Sequence, residues 1–257
     1  MVASAVCKSF GGLKAVQDFH LDLPAGCLRG LIGPNGAGKT TVFNLLTGVY
    51  RPDLGKIALA GTEIAGLRPS RIAALGMART FQNIRLFGEL SVLDNVKLAC
   101  HVRAKQTMAG AILRTAFARR EEAAQTQQAM ELLEVFDLAN RADEPARSLP
   151  YGDQRRLEIA RALATKPKVL LLDEPAAGMN PQEKKELREL IRRVREQFNV
   201  TVLLIEHDMG LVMEICEVIT VLDHGQVISV GPPEHVQKDP KVVEAYLGIA
   251  EEGAGHG

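Results

Sequence analysis

The sequence lacks net charge: 31 Lys and Arg balance 31 Asp and Glu. No overall field therefore draws the chain to nucleic acid, which excludes a basic nucleic-acid-binding protein. Cysteine is scarce, and Cys7, Cys27, Cys100 and Cys216 are scattered without metal-ligand spacing. They read as small buried hydrophobes in a reducing compartment rather than as a metal site or disulfide framework. No apolar run approaches the roughly 18 residues of a membrane span, and no signal peptide is expected at the start. Any work at a membrane would need a partner. Internal repeats, low-complexity blocks and long linkers are also missing. What remains is a 257-residue chain, 46% hydrophobic and 24% charged. That suits a globular protein with a substantial core, as one large domain or two small ones.

The stretch Leu28-Arg-Gly-Leu-Ile-Gly-Pro-Asn-Gly-Ala-Gly-Lys-Thr-Thr41 reads as an apolar strand, a glycine-rich turn and a helix starting near Lys39. Gly33, Gly38, Lys39 and Thr40 satisfy the spacing G-x-x-x-x-G-K-[ST]. Glycines let successive backbone N–H groups of Gly33, Pro34-Asn35-Gly36-Ala37 and Gly38 turn around a phosphate, proline excepted. The new helix adds its positive end. Lys39 would reach the β- and γ-phosphates, and the Thr40 hydroxyl, with Thr41 beside it, would serve Mg²⁺ and phosphate. A match should arise by chance in about one per cent of chains this long. The motif therefore predicts a nucleoside triphosphate site.

Around it the pattern is α/β. Residues 3–32 look β-rich, with Phe19, Leu21 and Leu23 alternating with polar residues. A helix carrying Phe43 and Leu46 ends at Gly48. A hairpin turns at Gly61, a helix is expected over Ser70–Ala74, and a strand over Met77–Phe81. Residues 91–146 carry no strand signal: Ser91 and Asp94 mark a helix start, and Ala129, Met130, Leu133 and Phe136 fall at helical spacing within Arg119–Leu138. This predicts a helical insertion whose arginines Arg103, Arg114, Arg119 and Arg120 form a solvated face. Val169–Leu172 is a continuous apolar run, as in a parallel strand buried on both faces. Asn180-Pro-Gln-Glu183 opens a helix whose inner stripe is Leu187, Leu190, Ile191 and Val194. A strand over Val200–Ile205, a hairpin of Val218–Leu222 with Val227–Val230, and a helix over Pro240–Gly248 complete the chain, with 251–257 expected to fray.

A phosphate loop followed by an apolar strand ending in Asp173 belongs to the P-loop NTPases. Asp173 would hold the Mg²⁺ shell opposite Thr40. Glu174, just beyond the strand end, would orient and deprotonate the attacking water. Carboxylates at that place lie where ligands bind in this fold class.

The ordered set Gly33–Thr41, Gln82, Leu149–Arg156, Leu170–Glu174 and Glu206-His207 resembles the nucleotide-binding domain of ABC transporters, from about residue 3 to 248. The resemblance implies a parallel-sheet, RecA-like core with an antiparallel β subdomain over 1–90 and 147–250, and a helical subdomain over 91–146. It implies ATP and Mg²⁺ as ligands, Phe10 stacked on adenine, and Gln82 touching Mg²⁺ or the attacking water. It also implies that His207 contacts the γ-phosphate and ties Glu174 to the water. The signature segment Leu149-Pro-Tyr-Gly-Asp153 departs from the family's Leu-Ser-Gly-Gly-Gln. Pro150 replaces the serine that binds the opposite subunit's γ-phosphate, Tyr151 a glycine and Asp153 the glutamine, while Gly152 remains. Asp153 is expected to oppose the phosphate electrostatically, and Asn180 replaces an aspartate.

Within that family, Ala78–Phe87, Tyr151–Arg156 and Glu244-Ala-Tyr-Leu-Gly248 are most similar to branched-chain amino-acid importer ATPases. That kinship implies a second ATPase subunit in a hetero- or homodimer, two transmembrane permease subunits, and indirectly a periplasmic binding protein. It places the chain on the cytoplasmic face of the inner membrane as a peripheral subunit. Other cargoes stay open here: urea, another polar metabolite, or exported lipopolysaccharide. A soluble ABC ATPase acting on ribosomes or DNA is a competing class.

Overall fold

The computed structural model describes residues 1–100 and 116–253, with the backbone alone for 116–119 and 247–253. The chain divides into two compact units: Met1–Arg79 together with the chain from Lys168 onward, and Thr80–Pro167. The second unit is wider than the insertion expected at 91–146.

The first unit starts with β1 (Val2–Phe10), β2 (Leu13–Asp22), β3 (Leu28–Ile32), α1 (Lys39–Leu46), β4 (Leu54–Leu59), β5 (Thr62–Glu63), α2 (Pro69–Ala74) and β6 (Met77–Arg79). The second unit contributes α3 (Val92–Cys100), α4 (Ala116–Val135) and α5 (Tyr151–Ala164). The chain then returns as β7 (Val169–Asp173), α6 (Pro181–Phe198), β8 (Thr201–Ile205), α7 (Met209–Ile215), β9 (Val218–Asp223), β10 (Gln226–Gly231), α8 (Pro233–Val236) and α9 (Pro240–Gly253).

Two sheets form. β2-β1-β4-β5 is antiparallel, and β10-β9-β3-β8-β7-β6 is parallel except for the β9–β10 hairpin. Every residue of β7 and β8 is buried, as strands covered on both faces require. One core joins the sheets through α1: Val6, Phe19 and Leu21 of the antiparallel sheet pack with Val42, Phe43 and Leu46 and with Leu171, Leu203 and Ile205.

Local chemistry sets the element ends. Asn180 accepts from Glu183 N at 3.0 Å while the Glu183 carboxylate accepts from Asn180 N at 2.8 Å, a complete capping box. Ser91 Oγ accepts from Asp94 N at 3.0 Å and donates to Asp94 at 2.8 Å.

Three boundaries differ from expectation. β6 stops at Arg79 instead of Phe81, because the Phe81 carbonyl accepts from the Arg155 guanidinium at 2.6 Å rather than from a strand. α4, described from Ala116, ends at Val135 instead of Leu138, leaving Phe136 and Leu138 buried just beyond it. α9 passes Gly248 and reaches Gly253, since one glycine costs a helix only about 1 kcal/mol. Arg103 and Arg114 lie outside the described residues, as does the Arg119 side chain; Arg120 is exposed. Among the described residues, no helix is long and apolar enough to cross a membrane.

Candidate functional site

The phosphate loop runs from the end of β3 into α1. At two glycines a side chain is excluded by backbone. A Cβ on Gly33 would stand 1.9 Å from the Leu222 carbonyl oxygen, and one on Gly38 2.5 Å from that of Ala15. Gly38 also adopts φ of 102°, which only glycine tolerates without strain. It is the N-cap of α1, and no side chain caps that end or places acid in its first turn. The positive helix end therefore faces the loop uncompensated. Pro34 and Ala37 are buried, whereas Asn35, Gly36 and Thr40 are exposed and Thr41 is half-buried.

Lys39 is buried, and its ammonium donates to the Gly33 and Pro34 carbonyls at 2.6 and 2.8 Å. Burial lowers its pKa, and the Glu174 and Asp173 carboxylates act against that shift. Those carboxylates stand at the end of β7, one strand over from β8 in the order β3-β8-β7. Glu174 leaves the sheet with φ of 45°, its N–H still donating to Ile205 O at 2.9 Å. This left-handed turn ends the ladder and aims the chain away from the strand direction. His207 follows the end of β8; its Nδ1 lies 3.8 Å from Glu174 Oε2 and 3.9 Å from Glu206 Oε2.

Sequence reasoning gave two residues of this cluster no role of their own. Glu206 is fully buried, accepting from Ala176 N at 2.8 Å and His207 N at 3.2 Å. Burial raises its pKa, and these amides partly offset the rise. Arg79, at the end of β6, donates to Asp173 Oδ2 at 2.7 Å and to Asn44 Oδ1 at 2.7 Å. Only its charge, unusual in a short strand between Met77 and Thr80, hinted at such a role.

Phe10 is 41% exposed at the end of β1, edge-on to Tyr50 with ring centroids 5.1 Å apart. It is thus not the core residue that a lone strand aromatic would suggest.

In the second unit, Gln82 has an exposed side chain, and its carbonyl accepts from Arg155 at 2.7 Å. Arg155 and Glu158, an i, i+3 pair on α5, are 0% and 2% exposed and 2.8 Å apart. Glu158 also accepts from Phe81 N at 3.3 Å and Arg85 N at 3.4 Å. The loop bearing Gln82 is therefore fastened to the helix that bears the signature. Sequence reasoning missed this clamp, although Arg and Glu beside Leu157 and Ala160 on an inward helix face were its available signal.

The signature segment itself surrounds the start of α5. Leu149 is buried, and Pro150 is the N-cap, with no side-chain cap bond. Tyr151 is exposed and Gly152 half-buried. Asp153 pairs with Arg141 at 2.8 Å. Its charge, expected to repel a phosphate, is thereby opposed within the same unit.

Comparison with known proteins follows the same lines. Residues 16–177 match the family model described as ABC transporter, and residues 226–252 match one described as branched-chain amino acid ATP-binding cassette transporter. The chain is 48% identical over 241 residues to the high-affinity branched-chain amino acid transport ATP-binding protein LivG of Escherichia coli, covering 94% of each. It is 47% identical over 247 residues to BraF of Pseudomonas aeruginosa, which bears the same description, covering 96% of this chain and 97% of that one. Among solved structures, the ADP conformation of an ATP-binding cassette of an ABC transporter superposes with a TM-score of 0.83 at 30% identity, covering 96% of this chain and 98% of that one. The chain belongs to the ABC transporter family, as one of its ATP-binding, ATP-hydrolysing cassettes.

Proposed function

We propose that this ATPase powers import of branched-chain amino acids through partner membrane subunits, from the cytoplasmic face of the membrane. The cargo rests on the descriptions of LivG and BraF and on the match over residues 226–252. The partners are two permease subunits and a second ATPase subunit that completes a shared ATP site.

The observation that carries the chemistry is convergence. Lys39, the Asp173–Glu174 pair and His207 follow the ends of β3, β7 and β8, three neighbouring parallel strands. Ligands bind beyond such ends in open α/β sheets. Backbone N–H groups from Gly33 to Thr41 and the Lys39 ammonium hold the phosphates, and Phe10 offers its exposed face to the base. Leu149–Asp153, with the open helix end at Pro150, Tyr151 and Gly152, is presented to the nucleotide held by the partner ATPase.

The donor set also fits Mg²⁺. Thr40 and Asp173 offer hard oxygen ligands, and Arg79 at 2.7 Å already sets a cation against Asp173. Among the described residues, no group of three or more His, Cys, Asp or Glu could cage a metal, as suits an ion that keeps waters and takes substrate phosphates as ligands. Thr40 and Asp173 would hold it, and when bound it would neutralise charge developing on the phosphates.

Glu174 accepts a proton from water as the water oxygen bonds to the γ-phosphorus. The bond from that phosphorus to the bridging oxygen breaks, giving ADP and phosphate. His207 holds Glu174 and donates toward the γ-phosphate.

Glu174→Gln in the assembled transporter is expected to keep ATP binding and lose at least about 10²-fold in turnover. Near wild-type hydrolysis would remove Glu174 as the base. A strain without the chain should lose leucine, isoleucine and valine uptake while keeping urea uptake. Unchanged leucine uptake would overturn the cargo.

A further inference from the structure

The Arg79–Asp173 pair is buried, with side chains only 9% and 8% exposed. Charges so placed are costly, and an apolar pair would stabilise the strand ends as well or better. Stability alone therefore does not explain the pair. The other partners of Arg79 are more informative. Its guanidinium also donates to Asn44 Oδ1 at 2.7 Å and to Thr47 Oγ1 at 3.4 Å, and lies 5.5 Å from the centre of the Phe43 ring. Asn44, Thr47 and Phe43 all belong to α1 or its C-cap, the helix that begins with Lys39 and Thr40. Thr40 and Asn44 are one turn apart on the same helix face.

We propose that Arg79 is a positioning residue that braces the Asp173 carboxylate against α1, fixing it relative to the Thr40 hydroxyl. The proposal rests on the reading that Asp173 and Thr40 hold the metal shell. A planar guanidinium suits the task, since it bonds two oxygens in one fixed fork where a lysine offers a swivelling point charge. The bond to Asp173 engages Oδ2.

The test uses the full-length protein with ADP and Mn²⁺ as the metal probe. Mn²⁺ affinity is read by electron paramagnetic resonance, and ADP affinity in EDTA by calorimetry. Partners that orient metal-binding groups typically govern metal affinity by 10–100-fold, so Arg79→Met should weaken Mn²⁺ binding about tenfold or more. ADP affinity in EDTA should change by less than about twofold, because Arg79 acts on the metal carboxylate and not on the phosphates. Arg79→Lys should fall between wild type and Arg79→Met. Unchanged Mn²⁺ affinity in Arg79→Met, or tighter binding, would overturn the brace; tighter binding would mark Arg79 as a competing charge instead. Asp173→Asn separates this from the underlying reading. If it too leaves Mn²⁺ affinity unchanged, Asp173 does not serve the metal. If Arg79→Met fails to fold, Asn44→Ala cuts the brace but keeps the ion pair. That variant should still weaken Mn²⁺ by about two- to fivefold, a fraction of the whole effect, and an unchanged value would overturn the proposal.

Discussion

At the scale of single residues, the site concentrates charge where water is scarce. Glu206 is the extreme case: fully buried, with its pKa raised above the ordinary 4.5 by burial. Between 4.5 and that raised value, the folded chain keeps a proton that the unfolded chain has lost. Stability is therefore expected to fall as pH rises through this window. Glu206→Gln removes the titration, so urea unfolding at stepped pH should show a flatter profile than wild type. Equal slopes would mean that Glu206 contributes nothing. Its neighbour His207 could be picked out in the sequence, because a family motif names it. Glu206 stands beside it in that motif, but its role could not be read, since it lies in accepting backbone N–H groups from Ala176 and His207, a matter of loop geometry. Lys39 illustrates the same limit. The motif marks it, but not the carbonyls of Gly33 and Pro34 on which it rests.

At the scale of elements, patterns with a local cause were legible. The N-cap Asn180, Pro181 at N1 and Glu183 at N3 form the capping box that their spacing suggested, and the apolar stripe of α6 is buried throughout. Asn180→Ala should cost about 1 kcal/mol in urea denaturation, and Asn180→Asp little. Ends set by distant partners were not legible. β6 stops where the Arg155 guanidinium claims the Phe81 carbonyl, and nothing near residue 81 announces a residue so far along the chain. That clamp carries its own prediction. Glu158→Ala leaves a fully buried guanidinium without its carboxylate and removes the acceptor of the Phe81 and Arg85 N–H groups, and should destabilise the protein by about 3–5 kcal/mol. Chemical denaturation checks it, and a loss below about 1 kcal/mol would show that the clamp does not hold the loop.

At the scale of the whole molecule, the order of motifs was enough to read an ABC ATPase core with its antiparallel sheet, because each motif closes a strand or opens a helix of that core. The unusual signature matters at this scale, since it is what one subunit offers another. Pro150 supplies no hydroxyl, but Asp153 is held by Arg141 and the start of α5 carries no side-chain cap. Pro150→Ser should tighten ATP-dependent association of subunits, read by sedimentation of the Glu174→Gln background with ATP. An unchanged association constant would show that the helix end suffices.

The strand order has a consequence for synthesis. β3, made early, lies between β8 and β9, made late. The walls of the phosphate loop also come from the distal chain: the Leu222 carbonyl abuts Gly33, and the Gly225 N–H bonds Ala37 O at 2.9 Å. On the ribosome the antiparallel sheet β2-β1-β4-β5 has all its strands within the first 63 residues and can pair as soon as they emerge. The loop that follows β3 lacks its contacts with Leu222 and Gly225 until those residues have been added. A chain cut before Leu222 thus carries the phosphate-loop motif without these two contacts, and also without Lys241, Glu244 and Ala245, which line the space beside Pro34–Ala37.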